Sequence, residues 1–85
     1  MSEEEIEKEV TALIISRITF RAGECATMYV DAGILTVKVS RRFEDMWNDA
    51  CSVDDAYVFK RPVSAGWEWV EDKINFALKV LREAE

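Results

Sequence analysis

The sequence predicts an α+β domain: a small antiparallel three-stranded sheet with helices packed on one face, in the order α-β-β-α-β-α. Three observations carry this. Residues 34–40 alternate with period two, setting Leu35, Val37 and Val39 against Thr36, Lys38 and Ser40. Residues 25–30 form a second strand-like run, joined to the first by a Gly-containing turn at residues 31–33. Residues 64–85 repeat apolar side chains at helical spacing.

Each element has its own signals. Ser2 and Glu5 have the spacing of a capping box, and Ile6, Val10, Leu13, Ile14 and Ile18 follow helical spacing. A first helix is expected over about residues 3–20, with Gly23 as its stop. Thr11, Ile14, Ile15, Ile18 and Thr19 are β-branched, so a switch to strand near Ser16 competes with the last turn. Phe43, Met46, Trp47, Ala50 and Cys51 predict a short helix over residues 42–51. Tyr57, Val58 and Phe59 mark a third strand over residues 56–61, ended by Pro62. Ser64 is expected to cap the last helix, whose core face is Trp67, Val70, Ile74, Ala77, Leu78 and Leu81.

That helix has a second stripe. Trp69, Phe76 and Val80 recur at i, i+7 and i+11, widening its apolar arc to roughly 200°, about twice what a surface helix uses. Packing against Ile15 of the first helix, a second copy of the chain, or a different protein would each cover it. Trp is enriched at interaction hot spots.

The 85 residues make a single domain spanning 1–85, with 49% hydrophobic residues, three Trp and four Phe to build a core. The longest apolar run, residues 12–15, is too short to cross a bilayer, and the acidic start does not resemble a targeting peptide. These features point to a cytoplasmic protein without membrane partners. Cys25 and Cys51 lack a C-x-x-C partner and read as free buried thiols. With no His, neither a metal site nor the commonest general base is available. Asp45 and Asp49 share a face of the short helix but have no Gly-rich phosphate loop beside them. No enzymatic activity, cofactor or metal is expected.

The net charge of −6 is unevenly spread. Residues 1–9 carry five Glu against one Lys, while residues 10–40 are nearly neutral. Acids at a helix start are favoured by its dipole. Against this background Lys38, Arg41, Arg42, Lys60 and Arg61 form a basic group on or near the second and third strands. The order is similar to the α-β-β-β-α of the double-stranded RNA-binding domain. That module meets phosphates with Lys at the start of its last helix, where this chain has Ser64-Ala65-Gly66-Trp67-Glu68-Trp69. The likeness therefore stops at the order.

The expected function is a non-catalytic protein–protein interaction module. Small acidic domains of this kind act as adaptors, assembly chaperones or inhibitors of a larger machine, as phages and mobile elements encode. Its partner would be another protein or a second copy of itself. The expected contacts are Trp69, Phe76 and Val80 on the apolar side and Arg41, Arg42, Lys60 and Arg61 on the polar side. One alternative is an acidic nucleic-acid mimic that blocks a DNA- or RNA-binding protein. A second is an RNA- or phosphate-binding domain that uses the basic sheet residues.

Overall fold

The computed structural model describes residues 2–41 and 55–83. Helix α1 (Glu3–Arg17) leads into strands β1 (Glu24–Asp31), β2 (Ile34–Arg41) and β3 (Asp55–Pro62). A single 3₁₀ turn (Val63–Ala65) precedes helix α2 (Trp69–Glu83). The strands form one antiparallel sheet in the order β1-β2-β3. This is the α+β architecture that the sequence predicts. The helix expected over residues 42–51 lies outside the described residues, as do Arg42 and Cys51.

Helix α1 begins where the sequence places it. Ser2 Oγ accepts the Glu5 N–H at 3.3 Å, and Glu3, Glu4 and Glu5 occupy the first turn. It ends three residues earlier than expected. Ile18 adopts extended backbone, and its N–H makes the last helical bond, to the Ile14 carbonyl. The β-branched run prevails here because the extended turn still buries Ile18, completing a stripe with Ile6, Val10 and Ile14. Gly23 consequently lies in the turn before β1 and does not cap the helix.

The hairpin between β1 and β2 is tighter than the three-residue turn expected. Asp31 pairs directly with Ile34, leaving only Ala32 and Gly33 in the loop, both at positive φ (50° and 74°). That is the mirror-image turn whose twist matches the strands. Open space surrounds a Cβ placed on Gly33, so only its backbone conformation excludes other residues. Gly33→Val is expected to cost about 1–2 kcal/mol in urea unfolding, while Gly33→Asn, tolerant of left-handed backbone, recovers most of it.

The last helix starts at Trp69 instead of Ser64. Gly66, at φ 76° and ψ −167°, is far from helical and separates the 3₁₀ turn from α2. Ser64 is exposed and caps nothing in α2. Trp67 falls before the helix, half-buried against the core.

Both helices cover the same face of the sheet. Leu35, Val37 and Val39 of β2 are wholly buried beneath Val10, Val70 and Ile74. Helix α1 lies over β1, α2 lies across β2 and β3, and the two helices touch. The other face of the sheet is open. Tyr29 and Val58 are about half exposed there, and Lys38 is exposed. Thr36 and Ser40 share that face yet are buried, because each sits in the central strand between residues of both neighbours.

Candidate functional site

The two edges of the sheet differ, and backbone geometry shows how. The Val30 N–H points away from β2 and donates to Glu7 Oε1 at 3.1 Å. In an antiparallel pair, the N–H and C=O of one residue face the same side, and sides alternate along the strand. Even-numbered positions of β1 therefore face outward. Carried through the register, the same alternation turns Ala56, Val58 and Lys60 of β3 outward. The Lys60 carbonyl accepts Arg61 Nη1 at 2.8 Å, consistent with that direction. Ala56 and Val58 have no backbone partner on this side among the described residues.

Helix α2 turns its second apolar stripe toward this edge. The Arg61 guanidinium carbon lies 5.7 Å from the Trp69 ring centre, and Lys73 Nζ lies 5.9 Å from the Phe59 ring centre. These cation–π contacts show that the Trp69–Lys73 side of α2 looks toward β3. Trp69 is further held by its Nε1, which donates to the Gly66 carbonyl at 2.9 Å. Farther along the stripe Val80 is half-buried and Phe76 is 55% exposed. Tyr57 and Phe59 of β3 continue the apolar strip onto the sheet.

The cover expected from α1 is not provided. Ile15 is 76% exposed and borders a different groove, shared with Thr11, Ile14, Phe20 and residues 25–28 at the β1 edge. The opposite side of α2 faces β1 instead. There Arg82 grips Glu24 through Nε and Nη2, at 2.8 and 2.7 Å, while the Arg21 N–H donates to Glu24 Oε1 at 2.8 Å. The Glu24 side chain is only 1% exposed. Its hydrogen bonds from Arg82 hold the carboxyl below its ordinary value, outweighing burial, which pushes it up. The reciprocal bond raises Arg82.

The basic residues do not gather. Lys38 and Lys60 lie on the open face, whereas Arg41 and Arg61 lie on the helix-covered face at opposite ends of the sheet. Arg41 Nη1 donates to the Leu81 carbonyl at 3.0 Å, near the C-terminal end of α2, where a cation is favoured. Arg61 belongs with Trp69 and borders the apolar strip, whereas Lys60 contributes only its backbone carbonyl to Arg61. Cys25 is free but exposed, its Sγ 3.1 Å from Ser40 Oγ, in contrast to the buried thiol expected.

Three contributors to the strip, Tyr57, Phe59 and Lys73, escape a reading that treats each element separately. The i, i+2 spacing of Tyr57 and Phe59 was the available signal, since it puts both on one face of β3. Among the described residues, no group of three or more Cys, Asp or Glu is placed to hold a metal ion. No described helix is long and apolar enough to cross a membrane. Compared with protein-family models, curated proteins and solved structures, the chain matches none.

Proposed function

We propose that this chain is a non-catalytic protein–protein interaction module and that the α2–β3 strip is its contact surface. The observation that carries this reading is Phe76. It stands more than half exposed between half-buried Trp69 and Val80, beside a strand edge whose Ala56 and Val58 backbone groups are open. An aromatic strip beside unpaired strand backbone supplies the two ingredients of edge recognition, side-chain burial and main-chain hydrogen bonds. Trp69 is already fixed by Gly66 and Arg61, so less side-chain freedom is lost on binding. An adaptor, an assembly chaperone or an inhibitor would use such a surface in the same way.

The charge pattern favours this reading over an acidic mimic. The densest acids, Glu3, Glu4 and Glu5, sit on the first turn of α1, and Arg61 and Lys73 border the apolar strip. Separation of Arg41 from Lys60 across the two faces likewise argues against one phosphate-binding patch on the sheet.

Phe76→Asp provides the test. Its side chain contributes little to the core, so the variant is expected to melt cooperatively, within about 1 kcal/mol of wild type. It should lose the proteins that wild type retains in quantitative affinity capture, or lose self-association. Identical capture profiles together with an unchanged solution mass would sink the proposal.

A further inference from the structure

We propose that the occupant of the α2–β3 strip is a second copy of this chain. The two β3 strands would pair antiparallel about a two-fold axis at Val58, giving one continuous six-stranded sheet with the two α2 helices side by side. This rests on the reading of that strip as a contact surface and names its partner.

The backbone is self-complementary. The outward positions Ala56, Val58 and Lys60 are symmetric about Val58. Antiparallel pairing at this register sets Val58 against Val58 of the second copy and Ala56 against Lys60. These are the hydrogen-bonded kind of pair, in which both N–H groups and both carbonyls are used; the Lys60 carbonyl, which accepts Arg61 Nη1 in the single chain, would take the Ala56 N–H of the second copy on its other lone pair. Pro62, at the next outward position, has no N–H and ends the ladder.

The residues on the helix-covered side match themselves as well. In this register Tyr57 lies opposite Phe59 of the second copy, an aromatic cross-strand pair. Position 61 lies opposite position 55, which sets the length of the seam. The strand thus sets two aromatics, Tyr57 and Phe59, about the axis on one face. That arrangement is unchanged when the strand is reversed about Val58. A partner of unrelated sequence has no reason to require that symmetry, whereas a two-fold pair does.

The helices fit the same axis. Helix α2 lies across β2 and β3. With strands about 4.8 Å apart, two such helices flanking a β3–β3 pair would have axes about 10 Å apart, the spacing of packed helices. Trp69 stands over Arg61 and Lys73 over Phe59. Advancing about 1.5 Å per residue on the helix and 3.3 Å on the strand brings Phe76 level with Val58. The most exposed aromatic of the strip therefore lies at the axis, where it meets its own symmetry mate. The β1 edge is a poorer candidate, because α1 packs against that strand and the Glu7 carboxylate takes the outward Val30 N–H, which a pairing strand would need.

Light scattering on the full chain during size exclusion tests this directly. The expected mass is twice 9.8 kDa, falling to the single-chain value on dilution. Val58→Pro removes an outward N–H and no bond of the existing ladder, so it should give a folded single chain. Phe76→Asp should do the same, and it decides the matter if Val58→Pro does not fold. Hydrogen exchange at Ala56, Val58 and Lys60 should slow as concentration rises. A wild-type mass of 9.8 kDa at the highest soluble concentration would overturn self-pairing, leaving affinity capture to decide the broader reading. A dimer that survives Phe76→Asp, with exchange at these amides independent of concentration, would place the seam elsewhere and overturn the proposal.

Discussion

Ile74→Ala is expected to cost about 3–4 kcal/mol in urea unfolding, the largest effect of any single truncation in α2. Ile74 has no solvent exposure and belongs to the cluster of Leu35, Val37 and Val39 that joins helix to sheet. A cavity there is bounded by β2, which is held on both sides by strand pairing and has little freedom to collapse. An 85-residue domain at roughly 0.05–0.15 kcal/mol per residue has only about 4–13 kcal/mol in total. The variant should therefore be partly unfolded at 37 °C or close to it. Phe76→Ala, two residues away on the exposed side, serves as the control, with a small change in midpoint. Comparable losses from the two variants would contradict the helix orientation described above.

The second large effect concerns the Glu24–Arg82 clamp, which ties the first residue of β1 to the last turn of α2. Arg82→Ala is expected to lower the thermal midpoint at neutral pH by more than Glu24→Gln does. The former leaves a carboxylate of 1% exposure without its counter-charge, whereas the latter leaves a guanidinium that still reaches water. The pH dependence follows from the direction of the Glu24 shift. Folding favours the ionised carboxylate, so its contribution is full above the ordinary carboxylate range. It is lost as pH falls through the lower folded value. Wild type should lose stability along this acid limb, and Glu24→Gln should follow a shallower one. Parallel midpoint curves from pH 7 to strongly acid conditions would show that the clamp contributes nothing.

Much of the fold was legible because short-range patterns and long-range packing agree. Alternation at Leu35, Val37 and Val39 names the buried face of β2, and Ile6, Val10 and Ile14 name that of α1. The misread boundaries are places where local spacing is ambiguous. Ile18 fits the helical stripe by count, yet the extended backbone buries it equally well. Gly66 is silent in a periodicity argument, since only its backbone angles reveal that α2 begins after it. The apolar stripe of Trp69, Phe76 and Val80 was visible in the sequence; the edge it flanks was not. Strand order and register decide that Phe59 lies beneath Lys73 and that Arg41 and Lys60 part company. Those are long-range facts, and no local spacing encodes them.

The carboxylate that Glu7 lends to the Val30 N–H has a consequence for how matter can accumulate on this sheet. A unit open along both rims can add neighbours without limit, which is the geometry of a fibre. Here one end of one rim, at Val30, carries its own plug, supplied by the helix that precedes it in the chain. A strand growing onto this rim therefore meets a blocked position at Val30 and cannot pair along the full length of β1. Guarding one side leaves the other free to be used.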